Sequence, residues 1–245
     1  MTRVGTVISI GDPVMAELIA QAFDVLWIDL EHGALSVRDA QLLALAVQST
    51  GAQALVRVPS ARSEALPAIL DAGVDGVVVP SVGTPEEAHE AVRRLHYPPA
   101  GRRGVGTRRA GAYGRASDYA ASARPYCALQ IESPEGLEHV ERIAAEPGVD
   151  CVVLGCSDLA SSLGIDRRLD SPQLADAAER VSDAARRAGI AFGVAGGGSA
   201  RDLAELAGDR AGVVVLGSDV RHYAAGVDAQ AAALREALGG ARATA

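Results

Sequence analysis

The stretch Val25-Leu26-Trp27-Ile28-Asp29, running directly into Leu30-Glu31-His32-Gly33, decides how the rest of the chain is read. Its apolar residues are consecutive, and polar groups crowd only at its end. A strand with one wet face alternates apolar and polar side chains, whereas a strand covered on both faces is apolar throughout. Runs of the same kind recur at Val4–Ile10, Ala54–Val58, Gly76–Pro80, Cys127–Ile131, Cys151–Gly155, Ile190–Val194 and Gly212–Gly217. Between most of them lie stretches with helical spacing: Met15–Phe23, Val37–Gln48, Leu66–Ala72, Pro85–Leu95, Pro134–Ala145, Ser171–Ala188 and Ala200–Leu206. Several open with a capping residue followed by proline, as at Thr84-Pro85 and Ser133-Pro134, and others stop at Gly51, Gly73 or Gly189. Eight such strands alternating with helices predict an α/β protein, a (β/α)8 TIM barrel. A doubly wound open sheet is the alternative, but Ile10-Gly11-Asp12-Pro13 is not the glycine-rich turn expected after its first strand.

No break in composition marks a boundary, so residues 1–245 read as a single domain. The Pro-, Gly- and Arg-rich segment 97–123 reads as a long rim loop, a length usually reserved for function. Residues 229–238 read as a last Ala-rich helix and 239–245 as a frayed tail.

The chain of 245 residues is 49% hydrophobic and 22% charged, with mean hydropathy +0.14, which excludes a disordered chain. No apolar run reaches the roughly 18 residues needed to span a bilayer, and Met1 leads into a strand-like run without a secretory signal. A cytoplasmic protein with no membrane partner is expected. Cys127, Cys151 and Cys156 lack metal-binding spacing and are odd in number, against a disulfide scaffold. A net charge of −8 and a pI near 5.1 argue against nucleic acid as a partner. All 23 Lys+Arg residues are arginine. With no lysine amine, neither a Schiff base with a carbonyl substrate nor a pyridoxal phosphate anchor can form.

Active sites of parallel barrels form at the carboxyl ends of the strands. There the sequence places Asp29 and His32, Arg57, Gln130 and Glu132, Gly155, Ser157 and Asp158, and Ser218 and Asp219. Glu132 and Asp158 are separated by about one strand–helix–strand unit, so adjacent strand ends would carry them into one pocket. Two carboxylates without His or Cys suit a hard divalent ion, Mg²⁺ or Mn²⁺, with Co²⁺ a further candidate. The alternative is that each caps the helix that follows. Arg57, inside a buried run, needs an anionic partner: either Asp29 in a salt bridge, or a substrate oxygen that becomes negative. His32 is the best acid–base candidate. Cys156 reads as a small buried residue, and Gly196-Gly197-Gly198-Ser199 as either a phosphate cradle or a flexible loop.

These residues resemble the HpcH/HpaI family of class II pyruvate aldolases. The resemblance rests on Pro13, Glu17, Phe23-Asp24 and Ile28-Asp29-Leu30-Glu31-His32-Gly33. It continues through Val56-Arg57-Val58-Pro59, Leu70-Asp71-Ala72-Gly73, Tyr97-Pro98-Pro99-Ala100-Gly101-Arg102-Arg103-Gly104, Gln130-Ile131-Glu132 and Asp158-Leu159-Ala160. It implies a barrel assembled as a hexamer, a trimer of dimers that exchange a C-terminal helix. It implies metal ligands at Glu132 and Asp158 and an enolate-stabilising arginine at Arg57. His32 would be the acid–base histidine, with Asp71 as its paired aspartate. Gln130, Gly155, Ser157 and Asp29 would lie around the substrate. The implied reaction joins the enolate of pyruvate to an aldehyde and reverses that step on 4-hydroxy-2-oxo acids. Condensation with a keto acid, as in citrate-forming relatives, or oxaloacetate decarboxylation would use the same site; a non-catalytic metabolite-binding barrel is the reading outside enzymes. The chain departs from the family at Gly155-Cys156-Ser157-Asp158, where the wall beside the substrate carboxylate changes. Arg108 and Arg109 lead to the expectation of an anionic or polyhydroxylated acceptor.

Overall fold

The computed structural model describes residues 1–242. Eight parallel strands close into a barrel in sequence order: β1 (Arg3–Ile8), β2 (Val25–Asp29), β3 (Gln53–Arg57), β4 (Gly76–Val79), β5 (Tyr126–Ile131), β6 (Cys151–Gly155), β7 (Ala191–Gly196) and β8 (Val213–Ser218). Outside them run α1 (Pro13–Ala20), α2 (Val37–Ser49), α3 (Leu66–Asp71), α4 (Pro85–Leu95), α5 (Tyr119–Ser122), α6 (Pro134–Ala144), α7 (Cys156–Ser162), α8 (Pro172–Ala188), α9 (Ala200–Ala207) and α10 (Asp219–Arg242).

The apolar runs now have a physical reason. Along β2, Leu26 and Ile28 point outward into the layer between sheet and helices, while Val25 and Trp27 point into the barrel. The inner cluster adds Leu55, Val78, Ala128, Cys151, Val153, Val213 and Val215, so both faces of every strand meet apolar partners. Helix boundaries follow the caps. Ser36 and Thr84 close capping boxes with Asp39 and Glu87, and Asp12 accepts from the N–H groups of Val14 and Met15.

Three expectations about the chain's course need correction. The last helix starts ten residues before 229, at Asp219, directly out of β8, and its bounds extend past 238 to Arg242; residues 243–245 lie outside those described. Helix α7 follows β6 without a loop, with Gly155 as its cap, so Asp158 lies inside the first turn and is not the cap that one alternative made it. Segment 97–123 joins the end of α4 to the start of β5, which places it at the amino-terminal end of the barrel, away from the carboxyl-end mouth. Arg109 ties it there by donating to the carbonyls of Ala72 and Gly73 and to Gln48 Oε1. The basic pair that suggested an anionic acceptor therefore has no place at the mouth.

Candidate active site

Inward-pointing positions alternate along a strand, so the residues at or just beyond the last inner apolar layer form the floor of the mouth. In β2 and β3 these are Asp29 and Arg57, which the sheet register pairs directly. Gln130, Gly155, Ala195, Val215 and Gly217 continue the ring, and a cleft of about 370 Å³ opens above it. Asp29, His32, Arg57, Gln130, Gly155, Ser157 and Asp158 all line this cleft.

Arg57 takes the first of its alternatives, the salt bridge to Asp29. Its Nε and Nη2 donate to the two Asp29 oxygens at 2.9 and 2.6 Å, and Nη1 lies 3.1 Å from Glu31 Oε2. A guanidinium has five N–H groups, so two are left outside the contacts with Asp29 and Glu31. The side chain is 12% exposed and cannot swing freely. Burial alone would raise the Asp29 carboxyl. The Arg57 hydrogen bond and charge, helped by the N–H groups of His32 and Glu31, outweigh it and hold the carboxyl below its ordinary value. A depressed carboxyl contributes stability that is complete above its unfolded pKa, ~3.9, and is lost as pH falls through the lower folded value. Acid titration followed by Trp27, the single tryptophan, should therefore show the wild-type advantage over Asp29→Asn shrinking below about pH 4.

Glu132 resolves the capping alternative. The cap of α6 is Ser133, whose Oγ accepts from the Gly136 N–H, leaving the Glu132 carboxylate free to turn inward. There it is 5% exposed. Ser81 donates to Oε1 from both its backbone N–H (2.7 Å) and its hydroxyl (2.9 Å), and Gln130 Nε2 donates to Oε2 at 3.2 Å. Burial pushes the Glu132 carboxyl up, Ser81 draws it back, and the negative charge of Asp158 raises it again. Gly155 makes room for it, since a Cβ there would fall 2.6 Å from Glu132 Oε2. Gly155→Ala should displace the carboxylate, weakening divalent-cation binding by tenfold or more in a calorimetric titration, with β6 intact, on the order of what supporting residues contribute at metal sites.

Sequence reasoning missed Ser81. It sits just past β4 with φ +53°, a left-handed conformation that costs a non-glycine residue about 1 kcal/mol or more and that clusters at functional sites. Its signal was positional: a polar residue directly after an apolar strand. Glu31 was quoted but given no task, and it steers both Arg57 and His32, whose Nε2 lies 3.7 Å from Glu31 Oε2. The pairing of His32 with Asp71 is not made within the chain. Asp71 ends α3 near the opposite end of the barrel, where its carboxylate accepts from the buried Arg103 at 2.7 Å. Cys156 is buried, and its thiol is pushed up to about 12 by that burial, which removes it as a nucleophile. Gly196 and Gly197 line the cleft, and Ser199 caps α9 by accepting from the Asp202 N–H.

The donor set fits a hard divalent ion. Glu132 has no cationic side chain bonded to it, it senses the charge of Asp158, and the buried Gln130 Oε1 between strand and cleft has no hydrogen-bond partner. Among the described residues no cluster of three or more His, Cys, Asp or Glu exists, so water and substrate oxygens would complete the shell, as is usual for Mg²⁺.

A closed parallel barrel brings acidic, cationic and imidazole groups together at its carboxyl-end cleft, and with no lysine anywhere in the chain no lysine Schiff base can form there. The chain belongs to the HpcH/HpaI aldolase/citrate lyase family, whose model matches residues 7–225. It is similar to a hydroxypyruvate/pyruvate aldolase of Paraburkholderia phytofirmans, 41% identical over 203 residues, covering 78% of this chain and 77% of that one. An HpcH/HpaI family protein of Burkholderia cenocepacia superposes with a TM-score of 0.85 at 35% identity, over 96% of this chain and 94% of the other. A citrate synthase superposes with a TM-score of 0.84 at 26% identity, over 96% and 94%. The protein is an aldolase of the pyruvate/oxo-acid type. No helix among the described residues is long and apolar enough to cross a membrane.

Proposed function

We propose that the chain joins pyruvate to an aldehyde, and cleaves the resulting 4-hydroxy-2-oxo acid, with a divalent cation held by Glu132 and Asp158. The observation that carries this reading is the Glu132 carboxylate, 5% exposed and without a bonded cationic partner, which senses the charge of Asp158 and lies directly behind Gln130 and Gly155 of the cleft wall. The cation, when bound, draws charge from the keto acid and so acidifies its methyl group. Arg57, fixed by Asp29 and Glu31, presents its two remaining N–H groups to the oxygen that becomes negative as the methyl proton leaves. Gln130 Oε1 accepts a hydrogen bond from a hydroxyl or water beside the donor. Gly155 and Ser157 form the wall next to the donor carboxylate. A bond then forms between the former methyl carbon and the aldehyde carbon. The methyl proton passes to a water in the cleft, and His32, exposed and held near Glu31, returns one through water to the aldehyde oxygen, so the addition is proton-neutral. Cleavage runs these steps backward.

Condensation with a keto acid would use the same groups, and the likeness to a citrate synthase favours it as the second reading. Mg²⁺ or Mn²⁺ with a panel of aldehydes and 2-oxo acids separates the two. Aldol products are expected, and turnover of keto acids alone would replace the first reading with the second.

The reading extends to assembly. Val220, Tyr223, Val227, Leu234 and Leu238 are exposed along α10 at helical spacing. A second copy of the chain would cover this stripe, in keeping with a hexamer built from dimers that exchange the helix. Light scattering on Val227→Asp/Leu234→Asp should give a smaller species than wild type; the same mass for both would remove this assembly.

A further inference from the structure

Two arginines line the cleft, and they differ in one respect. Arg57 has three N–H groups committed to Asp29 and Glu31. The Arg221 guanidinium has no carboxylate within ion-pair distance and no hydrogen bond among the described residues; only its backbone N–H is engaged, with Ser218 Oγ at 3.5 Å. We propose that Arg221 binds the terminal anion, a carboxylate or a phosphate, of the aldehyde acceptor, and so sets the acceptor class of this enzyme. The proposal rests on the aldol reading above and adds the identity of its second substrate.

The guanidinium is placed, not merely exposed. Arg221 lies in the first turn of α10, and Asp219 beside it, 2% exposed, fastens that turn to the end of β1 by accepting from Ser9 N–H (2.8 Å), Ser9 Oγ (2.7 Å) and Ile10 N–H (2.7 Å). On the other side the guanidinium lies against Gly197, in the loop after β7. A Cβ at Gly197 would stand 2.5 Å from Arg221 Nη1. The glycine after β7 therefore clears space for a guanidinium over the cleft, which gives part of the triglycine a task. The sequence had left that run as a phosphate cradle or a loop.

Charge makes the arginine necessary for such a substrate. With Glu132 and Asp158 offset by the cation proposed above, Asp29 and Glu31 against Arg57 leave one negative charge, and the donor carboxylate adds another. An anionic acceptor entering without a further cation would meet net repulsion. The unpaired guanidinium reverses that, and its fork matches the two oxygens of a carboxylate or phosphate.

The test compares acceptors of matched length on the metal-loaded enzyme with pyruvate as donor: succinic semialdehyde and glyoxylate against butyraldehyde and glycolaldehyde. Arg221→Gln should raise KM for the two anionic aldehydes by about tenfold to hundredfold, the range of a charge-assisted hydrogen bond, with kcat changed far less. The neutral aldehydes should keep their KM to within about twofold. Arg221→Lys, which keeps the charge and loses the fork, should fall between. Gly197→Ala, which pushes the guanidinium aside, should shift the same ratio in the same direction. Equal losses for both acceptor classes, or no loss for either, overturn the proposal. Deuterium exchange into the pyruvate methyl group reports the donor half alone. Exchange retained with an anion preference indifferent to Arg221 sinks the proposal and leaves the aldol reading standing; absence of exchange in the wild type sinks both.

Discussion

Glu132→Gln should abolish deuterium exchange into the methyl group of pyruvate, with a loss of at least ~10³-fold, equivalent to the several kilocalories per mole that a metal ion supplies to a developing negative oxygen. The substitution keeps size and one acceptor oxygen, so Ser81 can still donate to it while the contact from Gln130 Nε2 is lost, and the fold should be unchanged by circular dichroism. What disappears is the charge. With Asp158 alone the cleft holds one anionic donor where a hard cation needs more, and calorimetric titration with Mn²⁺ should show the affinity falling in step with exchange. His32→Ala is the informative contrast. It should leave exchange largely intact and impair carbon–carbon bond formation, because the imidazole acts on the acceptor oxygen. Exchange that survives in Glu132→Gln would contradict the assignment of the carboxylate.

Asp29→Ala carries the second large effect, on stability. Asp29 accepts from two nitrogens of Arg57 and from the backbone N–H groups of Glu31 and His32. Removing it leaves a buried guanidinium with Glu31 as its remaining partner and frees the turn that carries His32. Breaking one side of a buried ion pair typically costs 3–5 kcal/mol, and the surviving Glu31 contact places the expected loss near 3 kcal/mol. In a chain of this size that is a fall in Tm of about 6–12 °C. Urea titration followed by Trp27 fluorescence measures it, and a loss under about 1 kcal/mol would mean that the pair contributes little to holding the barrel together. Asp29→Asn/Arg57→Leu, which removes both charges, should recover much of the loss while eliminating activity.

The barrel was legible because its physical cause is local. Two-sided burial writes itself as uninterrupted apolar runs, and Val25–Asp29, Cys151–Gly155 and the helix Pro85–Leu95 fall where the pattern and the caps put them. The strand ends also announced Asp29, Arg57, Glu132 and Asp158. The less legible parts depend on neighbours far along the chain. Nothing in Val79-Pro80-Ser81 reveals that Ser81 will turn left-handed and hold Glu132, and nothing near Asp219 reveals that it will fasten α10 to Ser9 and Ile10. Segment 97–123 misled for a related reason. Composition indicates a loop, while the direction of the preceding helix decides which end of the barrel receives it.

The order of apolar runs, the caps and the absence of lysine, all properties of the chain read in one dimension, determined the barrel and restricted the chemistry to a route without a Schiff base. Closure of that barrel decided the rest. Only when β2 meets β3 in register does Arg57 face Asp29, and only when β8 and β7 come together does Arg221 lie over Gly197. Distances of a few ångströms between residues remote in sequence set which charges are paired and which stay available, and those distances exist once the sheet has closed.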